Sequence, residues 1–308
     1  MGTGRDRTGR RVRRAATLML KETVATRPGL GADPMVRQWT KKSSSPRFTG
    51  SRNLARLAGT FGGGAILGIA LLMAVWSVLY AARLFPDNLF PSVPAVWRAG
   101  VQMWQEGVLS PDITASIREA AVGFVIGTVL GIALALATAT TRAGRFILQP
   151  VLRLLAPIPT IGLIPLAILW FGIGDTSKYV VVALGVFVPV WINAHAGLAS
   201  TPSDYLQVSG CLGSSRWLTL RRVILPEALP DIVAGMRVGC ATAFVVIVVA
   251  EMTGTTNGLG YRISQAQLFS QADRLIFLLA VLGVVGAICD QLIVNVARPF
   301  TAWASEEN

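Results

Sequence analysis

The sequence is dominated by long apolar runs separated by shorter polar segments. Four runs carry no charged residue, at 57–82, 120–141, 154–174 and 179–203, and two more, at 232–250 and 275–297, carry one charge each. An α-helix needs about 20 mostly apolar residues to cross a hydrocarbon core of about 30 Å, and each run is about that long. We therefore predict an all-α protein, a polytopic membrane bundle of about six transmembrane helices.

Composition agrees with a membrane protein and divides the chain into three parts. Hydrophobic residues make up 53% of the chain and charged residues only 14%, whereas soluble domains carry about 25% charged residues. The net charge of +12 is concentrated near the start, since residues 1–56 hold 14 of the 28 Lys and Arg but three of the 16 Asp and Glu. Such a segment is typical of disorder. We predict a disordered basic cytoplasmic tail at 1–56, a transmembrane domain at 57–300 and a cytoplasmic tail at 301–308.

The basic tail also indicates orientation and partners. Cytoplasmic loops of membrane proteins are enriched in Lys and Arg, and the segments at 142–153 and about 201–231, on the same side as the tail, are rich in arginine. Both termini are therefore expected in the cytoplasm. The favoured interpretation is a solvated tail that reinforces this topology. Anionic membrane lipid is the alternative partner for the tail, and binding to nucleic acid is disfavoured.

The run at 154–174 differs from the others because it contains Pro157, Pro159 and Pro165. An internal proline removes a backbone hydrogen bond, which hydrocarbon tolerates only where neighbouring helices or a water-lined cavity satisfy the freed groups. Interrupted spans often mark a transport path. We expect these prolines to flank a translocation path; a kink that only shapes packing is the alternative.

Two charged residues lie inside apolar runs, Arg237 in the fifth and Asp290 in the sixth. Ionisable residues within membrane spans are rare and usually mark function. Arg237 is the candidate for contact with an anion in the translocation path. The alternative is an anchor whose charged end reaches the membrane surface, because Arg237 lies near the end of its run.

No catalytic motif is present. The chain has no nucleotide-binding P-loop, no His-Glu-x-x-His zinc motif and no nucleophile elbow. His195, the single histidine, lacks a metal-ligating partner at the usual spacing, and the three cysteines are far apart. The sequence therefore predicts no catalytic residues, no metal site and no enzymatic activity; a membrane enzyme would need clustered carboxylates or histidines at one membrane face.

The polar segment 203–226 predicts two short helices joined at a glycine. The Ser-Asp pair that opens it can cap a first helix, and Gly213 can end that helix. Ser214 or Ser215 can then cap a second, amphipathic helix. A helix–glycine–helix elbow outside the membrane suits docking into a partner protein.

This elbow resembles the cytoplasmic coupling motif of the inner-membrane permeases of ABC importers: a Glu-Ala-Ala triplet, three residues, Gly, nine residues, then Ile-x-Leu-Pro. The matching positions are Gln207, Val208, Ser209, Gly213, Val223, Leu225 and Pro226. The opening triplet departs from the pattern, because Gln-Val-Ser replaces Glu-Ala-Ala and removes a negative charge. The segments NLFPSVPAVW, PIPTIGLIPLAILWFGIGDTSK and VVAEMTGTTNGLGYRI further resemble the nitrate/sulfonate/taurine branch of these permeases.

The resemblance implies a type I ABC importer permease fold in the inner membrane of a bacterium. It also implies cytoplasmic ATP-binding subunits, an external substrate-binding protein and a second permease copy, identical or different. ATP would be bound by the partner subunit, so no cofactor is expected on this chain. The expected cargo is a small solute, with a sulfonate-, nitrate- or taurine-like anion as the leading candidate. The alternative is a secondary transporter or channel without an ATPase, which predicts charged residues clustered at mid-membrane and no cytoplasmic elbow.

Overall fold

The computed structural model describes residues 67–83, 86, 89–253 and 255–301. In this part of the chain the helices are α1 (Leu67–Ala81), α2 (Val93–Gln105), α3 (Leu109–Thr140), α4 (Gln149–Leu155), α5 (Ile164–Phe171), α6 (Asp175–Ala199), α7 (Ser203–Cys211), α8 (Arg216–Thr219), α9 (Leu225–Met252), α10 (Leu259–Leu268) and α11 (Ala272–Thr301). The packing described below belongs to the unit that begins at Leu72. The predicted tail at 1–56 and the residues after Thr301 lie outside the described part.

The prediction of an all-α membrane bundle is confirmed, since the described residues form helices and turns without a strand. Within the described ranges, four helical runs are long and apolar enough to cross a membrane: α3, α6, α11 and the continuous run Arg216–Met252. The pair Gly144–Leu155 and Thr160–Phe171 meets the same criteria only when taken together and is bent by 87°, so it is either a broken fifth span or a re-entrant loop. Of the first predicted span the structure describes α1, so the count of six is approximate.

α3 and α6 pack along a stripe of glycines. Gly123, Gly127 and Gly131 recur every four residues on α3 and face Val182, Val186 and Val190, which have the same spacing on α6. A Cβ atom added at Gly127 would overlap the carbonyl oxygen of Ala183, so glycine is what permits this approach. Because burial of apolar surface gains little in lipid, helices there associate through such close packing.

α9 completes the core on another face of α6. Gly235 and Gly239 of α9 lie against the backbone and side chains of α6 around Val186 and Val190, and Ile247 of α9 is fully buried in the same apolar cluster. By contrast, only 11% of the most apolar part of α11 is buried. Most of the α11 surface is therefore left to contact lipid, water or another protein.

The second span is longer than the apolar run that predicted it. α3 begins at Leu109 rather than near residue 120, so it includes the acidic residues Asp112 and Glu119, which precede the apolar run at 120–141. Both side chains are buried and paired with partners on other helices. A charge ends an apolar run in the sequence, but it does not end a helix when the protein itself supplies the counter-charge.

The polar segment at 201–231 is more helical than expected. From Arg216 the chain forms α8, a π-helical turn at Leu220–Ile224 and then α9 without a break. The wider turn lies directly before Pro226, which has no N–H to donate to the preceding turn. The second arm of the elbow is therefore a continuation of a membrane-spanning helix, not a separate loop helix.

Candidate functional site: a coupling elbow and a charged groove

The elbow, residues 203–226, turns at Gly213. The backbone there has a positive φ of 67°, the left-handed region that favours glycine. The N–H of Ser214 donates to the Ser209 carbonyl and the N–H of Gly213 donates to the Gly210 carbonyl, each at 3.0 Å. These two bonds form a Schellman motif, which satisfies the last carbonyls of α7 and reverses the chain. The predicted role of Gly213 in ending the first helix is confirmed in its geometry.

The predicted side-chain cap is confirmed for α8 and is wrong for α7. Ser215 caps α8, since its hydroxyl accepts from the N–H of Leu218 at 3.3 Å. The N-cap position of α7 is Pro202, which offers no side-chain acceptor. The hydroxyl of Ser203 instead donates to the carboxylate of Asp204, because both residues already lie inside the first helical turn.

The positions that match the coupling motif fall into an exposed part and an anchored part. The exposed part consists of residues on α7 and in the turn that are exposed or half-buried: Gln207, Val208, Ser209 and Gly213. The anchored part consists of half-buried residues at the end of the elbow that joins the bundle: Val223, Leu225 and Pro226. Leu225 packs against the apolar cluster formed by α3, α6 and α9. The elbow is therefore fixed to the bundle at one end and open to a partner at the other.

Ser209, one of the residues that depart from the motif, connects the two arms. Its hydroxyl donates to the Leu206 carbonyl at 2.9 Å and accepts a longer contact of 3.4 Å from the hydroxyl of Thr219. Thr219 also contacts the hydroxyl of Ser214 at 3.1 Å. The serine thus braces α7 against the end of α8, a contact that alanine could not make.

Large apolar side chains on the elbow are left uncovered by the described residues. Leu212 is 81% exposed and Trp217 is 69% exposed, and Val208 is also exposed. A groove of about 570 Å³ opens between the two arms and the ends of α3 and α6. Apolar surface of this kind on the elbow is typical of a protein–protein contact.

The three prolines of the interrupted span produce the bend between α4 and α5. Pro159 is extended (φ −67°, ψ 112°) and separates the two arms of the span. Pro165 lies in the first turn of α5, where a missing N–H leaves no bond unmade. Pro157 lies in the turn between them, and all three side chains are exposed. Their predicted place along a translocation path stays a prediction.

Arg237 and Asp290, which the sequence presents separately, form one ion pair between α9 and α11. The carboxylate of Asp290 accepts from Nε of Arg237 at 2.8 Å and from Nη2 at 2.9 Å. The Arg237 side chain is 50% exposed and the Asp290 side chain is 35% exposed. The partner of Arg237 could not be deduced from the sequence, because 52 residues and α10 separate the two positions.

A second set of charges, which lies in the polar segments between the apolar runs of the sequence, is buried between α3 and α6. Nζ of Lys178 lies 2.6 Å from Oε1 of Glu119, and their side chains are 4% and 1% exposed. Lys178 also lies 3.3 Å from the carboxylate of Asp175. The other oxygen of Glu119, Oε2, is buried and makes no hydrogen bond within the described residues.

Buried polar groups from α3 and α9 hold the start of α10. Glu251 accepts from the hydroxyl of Ser116 at 2.6 Å and from the N–H of Gly260 at 2.7 Å, while Ser116 accepts from the N–H of Leu259. Asp112 accepts from the N–H of Gly258 and pairs with Arg262. The first N–H groups of a helix need such acceptors. Of the two acidic residues only Glu251 lies near the Gly-Leu-Gly sequence and could have signalled this contact, whereas Asp112 is far away along the chain.

Comparison with known proteins agrees with this architecture. Residues 127–300 match the family model of the binding-protein-dependent transport system inner membrane component. The chain is 30% identical to the putative aliphatic sulfonates transport permease protein SsuC of Bacillus subtilis, over 76% of this chain and 85% of that protein. It is also 30% identical to the taurine transport system permease protein TauC of Escherichia coli, over 77% of this chain and 88% of that protein.

A comparison with solved structures supports the fold, and nothing beyond the fold. A crystal structure of an amino acid ABC transporter with histidines matches with a TM-score of 0.54 at 14% identity, over 65% of this chain and 97% of that chain. From its sequence relatives, this chain belongs to the family of binding-protein-dependent ABC importer permeases, in the branch that contains the sulfonate and taurine permeases. It is thus a multi-pass inner membrane protein, and its relatives are transport subunits rather than enzymes.

Proposed function

We propose that this chain forms the translocation path for a small sulfonate-like anion and that a separate cytoplasmic ATPase drives it through the elbow. The observation that carries the proposal is the Schellman turn at Gly213, at the glycine position of the coupling motif. It presents Gln207 and Val208 on an exposed helix, as docking requires. An external binding protein delivers the anion. This chain binds no ATP and needs no cofactor.

The connection between elbow and membrane supports a mechanical role. Because α8 and α9 belong to the continuous helical run Arg216–Met252, a movement of the docked elbow is passed directly to a membrane-spanning helix. Two permease copies, surrounded by lipid, then alternate between outward-open and inward-open states. ATP and substrate favour different states, so their binding is reciprocally coupled.

Reconstitution tests this function. The permease is placed in proteoliposomes with its candidate ATPase and its candidate binding protein, and uptake of ethanesulfonate and taurine is measured. We expect uptake of at least one of them only when ATP, the ATPase and the binding protein are all present. Uptake without ATPase and ATP would contradict the proposal and favour a secondary transporter or channel.

The orientation follows from the charge of the loops and tail. We propose that both termini and the elbow lie in the cytoplasm, since the arginine-rich segments are on the side of the basic tail. Reporter fusions after Met103, Thr176 and Gln267 are expected to report an external location, and a fusion after Ser214 a cytoplasmic one. A cytoplasmic signal after Met103 would overturn this orientation.

We also propose that Pro157, Pro159, Pro165 and Arg237 flank the translocation path. The 87° bend interrupts the helical span, and backbone groups at such an interruption are left polar. Arg237 exposes a charge within an apolar run. Uptake in the reconstituted system should fall in Arg237→Ala while the complex remains assembled. Unchanged uptake would leave Arg237 as an anchor without a path role.

A further inference from the structure

Arg237 and Asp290 line a groove between α9 and α11 that neither helix fills. Its volume is about 420 Å³, within the range of roughly 300–1,000 Å³ that holds small ligands in proteins. Apolar residues, including Phe244 and Leu282, form most of the remaining lining. A Cβ atom added at Gly283 would meet no atom within 4 Å. Free space therefore exists in the groove at Gly283.

The ion pair leaves part of the hydrogen-bonding capacity of Arg237 unused. Asp290 accepts from Nε and Nη2, and within the described part of the chain Nη1 donates to no residue. A guanidinium has five N–H groups in a planar fork, so three remain available. Half of the Arg237 side chain is exposed, and Arg237 is one of the residues that line the groove.

This position is poorly suited to contact with lipid tails. Arg237 lies within the apolar run 232–250 and Asp290 within 275–297, and ionisable groups at such positions face a protein interior or a water-filled cavity. Only 11% of the most apolar part of α11 is buried, so the described part of this chain does not close the groove. An aqueous path would hydrate the pair and also admit a small solute.

We propose that the groove is a transient binding site for a small monovalent oxyanion with a short apolar tail, such as an alkanesulfonate. The anionic oxygens bind the free N–H groups of Arg237, and the tail lies along Phe244 and Leu282. Asp290 is a positioning residue that orients the guanidinium and weakens its attraction for the anion. Weak binding suits transport, because a site must release what it admits. This inference rests on the proposed function and adds the substrate contacts.

Direct binding of radiolabelled ethanesulfonate to the purified permease–ATPase complex, without binding protein, tests the site. Asp290→Asn removes a negative charge next to the bound anion, which should strengthen binding by about tenfold or more. Arg237→Gln removes the donors and Gly283→Leu fills the groove, so each should abolish binding. If the ion pair were only structural, Asp290→Asn would weaken binding in the assembled complex instead.

Glu106→Gln is the matched control. It releases the guanidinium of Arg274 from another partly exposed pair that lies outside the groove, and binding should equal that of the unmodified complex. Absent, unchanged or weaker binding in an assembled Asp290→Asn complex overturns the groove site, as does unchanged binding in Gly283→Leu. If Asp290→Asn fails to assemble, Gly283→Leu decides, because its side chain enters free space. Failure of ATP-driven uptake in the unmodified protein overturns the proposed function instead.

Discussion

Replacing Gly213 with valine is expected to abolish ATP-driven uptake while the permease remains inserted in the membrane. The φ of 67° at this position costs a residue with a side chain about 1–2 kcal/mol, and β-branched residues tolerate it least. The Schellman turn would then open, and α7 would no longer be held in its orientation relative to α8. The measurement is copurification of the ATPase together with hydrolysis stimulated by the binding protein.

Two further variants separate backbone strain from contact with the partner. Gly210 is exposed like Gly213, and a Cβ atom at either position meets no atom within 4 Å, but Gly210 lies within α7. Gly210→Ala should therefore leave the turn intact. Gly213→Asn tolerates the left-handed backbone and adds volume, so loss of ATPase binding in this variant would indicate close contact at Gly213. Normal assembly and coupling in Gly213→Val would remove the main support for docking at the elbow.

The largest loss of stability is expected from Lys178→Met. Nζ of Lys178 is the only cation within salt-bridge distance of Glu119 among the described residues, and both side chains are almost fully buried. Removing one member of a buried ion pair typically costs about 3–5 kcal/mol, because the other charge is left without compensation. The measurement is the free energy of unfolding, or the Tm, of the purified permease in one detergent.

The double variant Glu119→Leu/Lys178→Met tests whether the loss comes from the uncompensated charge. It should recover most of the stability, because apolar replacement of a whole buried pair is often neutral or stabilising. Arg118→Met is the matched control, because it breaks the ion pair between Arg118 and Asp175, whose side chains are 60% and 46% exposed. It should change the free energy of unfolding by less than about 1 kcal/mol. A double variant as unstable as Lys178→Met would show that charge compensation is not the cause.

The local turns and caps of the candidate site could be predicted from the sequence, but the contacts between distant residues could not. The turn at Gly213 and the cap at Ser215 follow from local backbone rules, because glycine and serine stabilise those conformations within a few residues of chain. The pairing of Arg237 with Asp290 depends on which helices become neighbours, and no local rule specifies that. The same holds for the contact of Ser209 with Thr219 across the two arms of the elbow.

The sequence by itself determined that this is an all-α membrane protein, because apolar runs of spanning length have few other stable forms in lipid. It also determined the break in the third span, since proline acts on its own backbone and the turn before it. Only the tertiary structure decided where α3 begins and which charges are buried. A carboxylate such as Glu119 is buried in the protein interior only when another helix supplies a counter-charge, which here is Lys178. That pairing depends on the packing of α3 against α6 along the stripe of glycines, and not on residues close to Glu119 in the sequence.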